Sequence, residues 1–180
     1  MADIKIQNMV ASTVIAKQLN LDTINTSMEN TKFNPGQFPG LVYHIAKPKV
    51  AFLLFKSGRV ICTGAKNIED IQNAVGQVYQ KLKKLDFDVI KPDIKVQNIV
   101  ASIDLHVKLN LLDLSLALGL ENIEYEPEIF PGMVYRLDEP KVVFLFFGSG
   151  KIVCTGAKYE QDVKRAVDVI TNELGQRGFL

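Results

Sequence analysis

The sequence predicts an α+β chain made of two tandem copies of one unit, with about ten antiparallel strands and four helices. Two observations carry this reading. One is a long internal duplication; the other is the same succession of β-branched alternation and helical apolar spacing inside each copy. Ile4 to Ser12 returns as Ile94 to Ser102 with seven identities in nine at an offset of 90. Phe38-Pro-Gly-Leu-Val-Tyr43 returns as Phe130-Pro-Gly-Met-Val-Tyr135, five in six, at an offset of 92. Lys47 to Lys66 matches Glu139 to Lys158 at thirteen of twenty, again at 92. Chance would give roughly two identities in the 35 positions compared, against the 25 found. Two copies are too few for a solenoid, so the copies are expected to pair about an approximate twofold axis.

Each element follows from its residues. Ile4 to Ser12 alternates and is rich in β-branched side chains, which predicts a strand. Leu21, Ile24 and Met28 fall at helical spacing, and a short edge strand fits around Thr31 to Asn34. Strands follow at Leu41 to Ala46, Val50 to Phe55 and Arg59 to Thr63, separated by Lys47-Pro48-Lys49 and Ser57-Gly58 turns. Asn67 can cap a long helix whose apolar stripe is Ile68, Ile71, Val75, Val78, Leu82 and Leu85. The second copy ends on the matching stripe Val163, Val167, Ile170 and Leu174. Lys91-Pro92-Asp93 marks the boundary, giving repeats 1–91 and 92–180 joined in one body. The change of offset from 90 to 92 falls between Ser102 and Tyr125, where one loop or helix must be longer.

Composition narrows the function. At 47% hydrophobic and 23% charged the chain can bury a core, and 21 basic against 20 acidic residues excludes a histone-like polycation. The longest apolar runs, Val50 to Phe55 and Val142 to Phe147, are far too short to span a bilayer, and the N-terminus lacks an apolar signal region. Cys62 and Cys154 form no disulfide framework or metal knuckle and read as buried thiols; with only His44 and His106 besides, neither metal nor cofactor is expected. No Walker A loop, dinucleotide fingerprint, H-E-x-x-H motif or nucleophile elbow is present, so an enzyme is not expected.

One feature points to function. Two helices per copy can cover one sheet face, and a strand with its other face in water should alternate apolar and polar. Val50-Ala-Phe-Leu-Leu-Phe55 and Val142-Val-Phe-Leu-Phe-Phe147 do not alternate. If Phe52, Leu54 and Cys62 face the helices, period two places Leu53, Phe55, Ile61 and Thr63 opposite, with Asn8, Val10 and Ser12. The second copy supplies Asn98, Val100, Ser102, Leu145, Phe147, Val153 and Thr155. The opposite face is then a binding surface, or else it lies under further helices or against a second chain.

The duplicated QNMVAS and QNIVAS, FPGLVY and FPGMVY, PKVAFLLF and PKVVFLFF, and SGRVICTGAK and SGKIVCTGAK resemble the TATA-box-binding protein family over nearly the whole chain, its archaeal branch most of all. The resemblance implies a saddle, a curved ten-stranded antiparallel sheet with four helices on its convex face. It implies a general transcription initiation factor that binds the minor groove of promoter TATA elements and bends the duplex; the family is itself a standard instance of apolar wedging between base steps. By motif the wedge pairs are Phe38 with Phe55 and Phe130 with Phe147. Val10, Leu53, Ile61, Val100, Leu145 and Val153 would lie on the groove floor, and Asn8, Asn98, Thr63 and Thr155 would donate near its centre. Arg59, Arg136 and Lys151 match phosphate-contacting positions, with His44 a weaker counterpart of Arg136. The family places this work in the cytoplasm at the nucleoid, or in the nucleus of a eukaryotic source.

The copies also differ in charge. Residues 1–90 hold 11 basic and 7 acidic groups (+4), while 91–180 hold 10 and 13 (−3). Glu126-Pro-Glu128-Ile129-Phe130 is acidic where Asn34-Pro-Gly36-Gln37-Phe38 is not. In the family the acidic second loop binds transcription factor B, which makes Glu126, Glu128 and Ile129 the expected partner residues. RNA polymerase would follow indirectly, no membrane is involved, and a homodimer off DNA stays open. The alternative from another class is an apolar small-molecule-binding protein that uses the curved sheet.

Overall fold

The computed structural model describes residues 2–180. It contains β1 (Asp3–Val14), α1 (Leu21–Ser27), β2 (Thr31–Lys32), β3 (Leu41–Ile45), β4 (Val50–Leu54), β5 (Arg59–Ala65) and α2 (Ile68–Lys84). The series then repeats as β6 (Lys95–Asp104), α3 (Leu111–Leu118), β7 (Ile123–Glu124), β8 (Met133–Leu137), β9 (Val142–Phe146), β10 (Lys151–Ala157) and α4 (Glu160–Gln176). This is the α+β class and the element order that the sequence predicts, with ten antiparallel strands and four α-helices. No helix among the described residues is long and apolar enough to cross a membrane.

Two compact units are present. One is Asn8–Gln97, with strand order β2-β3-β4-β5-β1; the other is Asn98–Leu180 with the segment up to Gln7, with order β6-β10-β9-β8-β7. The change of repeat offset has a definite seat. Leu21 and Leu111 both open helices, and Thr31 and Ile123 both open the short strands that follow. One of the two added residues lengthens α3 relative to α1, and the other lengthens the connection to β7, where Gly119 (φ 87°) leads into a 3-10 turn, Leu120–Asn122.

Asparagine starts three of the four helices. Asn20 and Asn110 accept backbone N–H groups of the first turns of α1 and α3, and Asn67 Oδ1 accepts from Asp70 N at 2.8 Å. At α4 the equivalent position is Tyr159, whose side chain makes no cap. The buried stripe of α2 is Ile71, Ala74, Val75, Val78 and Leu82. It is narrower at its ends than the sequence predicts: Ile68 occupies the first helical position and is exposed, and Leu85 is the C-cap and only half-buried. The stripe of α4 is Val163, Ala166, Val167, Ile170 and Leu174, with Ala166 added to the expected four.

In the first unit α2 packs on β5, and in the second α4 packs on β10. On the buried side of the first unit's strands lie Tyr43, Phe52, Leu54, Val60 and Cys62, and on that of the second lie Tyr135, Phe144, Phe146, Ile152 and Cys154. Burial pushes both thiols up to about 12, so they stay protonated at neutral pH as plain core atoms. Exposure along the central strands has period two although hydropathy does not. Val50, Phe52 and Leu54 are buried while Ala51 and Leu53 between them are half-exposed, and β9 repeats the pattern with Val142, Phe144 and Phe146. Helices thus cover one face of each unit's sheet and leave the other apolar and open.

The cap difference is testable. Asn67→Ala should lose about 1 kcal/mol of stability, whereas Tyr159→Asn should gain a comparable fraction of that. Urea melts of the two variants decide it: equal midpoints for all three proteins would contradict the cap assignment.

Candidate nucleic-acid interface

The open face of the first unit is built by strand register. Val42 on β3 stands opposite Leu53 on β4, Leu53 opposite Ile61 on β5, and Ile61 opposite Ser12 on β1. The second unit repeats the row as Val134, Leu145, Val153 and Ser102. Each of these side chains is half-buried, as are Val10 and Val100. Every predicted floor residue therefore lies on the uncovered side of its unit, and none is sealed under a second layer of that unit.

Polar groups enter this field at a bulge. The β1–β5 register slips by one residue between Met9 and Ala11, beside Gly64, whose φ of 101° suits glycine. The turned Gly64 N–H donates to Asn8 Oδ1 at 2.6 Å, while Asn8 Nδ2 donates to Thr63 Oγ1 at 3.1 Å. A backbone N–H cannot be flipped, so it fixes the amide with its oxygen inward and its NH2 outward. Thr63 Oγ1 lies 3.5 Å from the Asn8 oxygen, too far to hold its own proton there. The pair accordingly presents donors. Asn98 repeats this with Gly156 N at 2.7 Å and Thr155 at 3.1 Å, at the β6–β10 register shift.

The four predicted wedge phenylalanines meet in two pairs. Phe38 and Phe55 stand edge to face with centroids 6.0 Å apart at 70°, and Phe130 and Phe147 stand 6.0 Å apart at 73°. Phe38 and Phe130 are 41% and 40% exposed, unusual for such large apolar groups. Each caps a turn, Phe38 N–H donating to the Asn34 carbonyl and Phe130 N–H to the Glu126 carbonyl, both at 3.0 Å. The glycine of each Phe-Pro-Gly makes room for the rings. A Cβ on Gly40 would sit 2.6 Å from Phe38, and one on Gly132 would sit 2.7 Å from Phe130. The turn after Phe55 is held by Gly58 at φ 83°, where any Cβ would strike the Ala16 carbonyl oxygen at 1.7 Å.

The charged positions are exposed but unequal. Arg59 and Lys151 begin β5 and β10 and carry no intramolecular ion pair among the described residues. Arg136 instead holds Glu124 at 3.2 Å. Glu124 stands opposite Val134, and the matching place opposite Val42 holds Lys32. His44, equivalent to Arg136, is exposed opposite Ala51. Glu126, Glu128 and Ile129 occupy the exposed turn before Phe130, with Ile129 80% exposed.

Sequence reasoning passed over several members of this face. Gln7 Nε2 donates to Ser102 Oγ at 2.8 Å, and Gln97 Nε2 to Ser12 Oγ at 2.9 Å. The Gln-Asn dipeptide is duplicated, which was the available signal. Val42 and Val134 were also discoverable, because period two from the buried Tyr43 and Tyr135 places them outward. The Arg136–Glu124 pair left no such mark, since twelve residues separate the partners and only strand pairing joins them.

A family model described as "Transcription factor TFIID (or TATA-binding protein, TBP)" matches residues 3–85 and 93–176. The chain is 52% identical to a TATA-box-binding protein of Picrophilus torridus over 181 aligned residues, covering 100% of this chain and 98% of the relative. A TATA-box-binding protein of Archaeoglobus fulgidus is likewise 52% identical, covering 98% of this chain and 97% of the relative. The solved structure of Methanococcus jannaschii TBP superposes with a TM-score of 0.88 at 49% identity, covering 97% of this chain and 99% of that one.

Proposed function

The chain belongs to the TATA-binding protein family of transcription factors, and on that premise we propose that it lays its open sheet faces in the minor groove of a promoter TATA element, bends the duplex and recruits transcription factor B and, through it, RNA polymerase. The observation that carries this reading is an uncovered apolar field whose few polar groups are oriented as donors. In the minor groove A·T and T·A pairs offer only acceptors, whereas G·C adds the guanine amino donor. Asn8, Thr63, Asn98 and Thr155 meet those acceptors, and the aliphatic floor leaves a guanine amino group without a partner. Arg59, Lys151 and Arg136 neutralise phosphates at the rim, Arg136 in competition with Glu124.

Bending rests on the phenylalanine pairs, one in each unit, which wedge into soft pyrimidine–purine steps. Four phenylalanines and six aliphatics are worth about 15–30 kcal/mol if moved from full exposure to full burial. Neighbours already cover more than half of each, which leaves about 5–10 kcal/mol. Deformation costs about 1–10 kcal/mol, with a few more for each unstacked step. Apolar contact and deformation are therefore of similar size, and phosphate contacts tip the balance. An apolar small-molecule carrier would need an enclosed cavity, whereas each row of floor residues crosses four strands in the open.

Two tests follow. Phe147→Ala should reduce both affinity and bend angle on a TATA duplex, read by phasing or energy transfer; undiminished bending would remove Phe147 from the wedge. Polarity is assigned to the charge difference between the turns at 34–38 and 126–130, with Glu126, Glu128 and Ile129 contacting factor B. Exchanging the two turns should redirect factor B recruitment, and unchanged recruitment and orientation would refute that assignment.

A further inference from the structure

The internal duplication supplies a control for the outer face of the short helices. At the buried positions both copies are apolar: Leu21 and Ile24 in α1, Leu111 and Leu114 in α3. At the outward positions they diverge. Where the first copy has Asp22 and Thr26, the second has Leu112 and Leu116, which are 60% and 66% exposed. These two lie one helical turn apart on one face. The 3-10 turn in the longer connection adds Leu120, 67% exposed. A single exposed leucine is ordinary, but the core of neither copy requires this series, and the first copy folds the same helix without it.

The surrounding charge says what covers it. From Leu111 to Phe130 the chain carries Asp113, Glu121, Glu124, Glu126 and Glu128 and no lysine or arginine. Only Glu124 has an ion-pair partner among the described residues, Arg136. Arg177 donates to the Ala117 carbonyl of α3 but is already engaged, paired with Glu173 at 3.1 Å. A second copy of this chain docking through this same surface would bring like carboxylates together, and a nucleic acid would be repelled. We propose that the outer face of α3 with its 3-10 turn is a docking surface for a basic amphipathic helix of a partner protein. The partner's apolar side would cover Leu112, Leu116 and Leu120, and its lysines or arginines would face Asp113 and Glu121. The surface is separate from the sheet face, and the inference does not rest on the DNA reading.

The test uses the full chain without DNA and a fluorescent 18-residue helical peptide with a leucine face flanked by lysines. Two control peptides carry the same leucines with glutamate in place of lysine, or the same composition in scrambled order. The lysine peptide should bind saturably in anisotropy, and both controls more weakly by about tenfold or more. Leu112→Gln, Leu116→Gln and Leu120→Gln together should weaken binding at least about tenfold, with the circular dichroism spectrum and melting midpoint retained because all three are exposed. Asp113→Asn with Glu121→Gln should weaken it and flatten its salt dependence, a second route that leaves the leucines in place. Absence of binding, equal binding by either variant, or a wild-type dimer in sedimentation that the leucine variant abolishes would overturn the proposal.

Discussion

The molecule turns on one constraint: strands apolar on both faces, with helices enough for only one. In the first unit Val50, Phe52 and Leu54 are buried on the side where α2 packs against β5, and in the second Val142, Phe144 and Phe146 are buried on the side where α4 packs against β10. The facing side is left with Leu53, Ile61, Leu145 and Val153 half in water, at a cost in hydration that no contact within either unit removes. In the proposed complex, a minor groove opened onto these faces would remove it. On that proposal the same leftover surface would supply both the drive for binding and the reason that the duplex must deform to reach it.

Placement of the few polar groups follows from backbone geometry rather than from side-chain preference. A bulge and a left-handed glycine turn an N–H onto Asn8, and the same device repeats at Asn98. The amide is thereby held as a donor within the fold itself, so presenting it to an acceptor would cost little further ordering. The phenylalanine pairs are prepared in a similar way. Glycines at 40 and 132 admit the rings, and tight turns at 58 and 150 hold the strands that carry their partners.

The duplication made much of this legible. Paired motifs set the element order, and period two from Phe52, Leu54 and Cys62 placed Leu53 and Ile61 on the opposite face, with Leu145 and Val153 as their second-copy counterparts; their role as a groove floor came from the family resemblance. What the sequence left hidden falls into two kinds. Exposure was one: an apolar strand reads the same whether its second face is bare or covered, and only the packing shows which. Pairing across strands was the other, since Glu124 and Arg136, or Gln7 and Ser102, are brought together by register and not by spacing. The narrowed stripe of α2 has a simpler cause, because a residue at a helix end can follow the apolar spacing and still project past the surface that the helix covers.

The central claim is that the open faces discriminate by the absence of a partner for the guanine amino group. It is tested most directly by affinity for three duplexes of one length: a TATA element, the same element with G·C pairs, and the same with inosine·cytosine pairs, which keep the major-groove change but lack that amino group. The account predicts tight binding to the first and third and a loss of at least about tenfold on the second. Equal weakness on the inosine and guanine duplexes would contradict it.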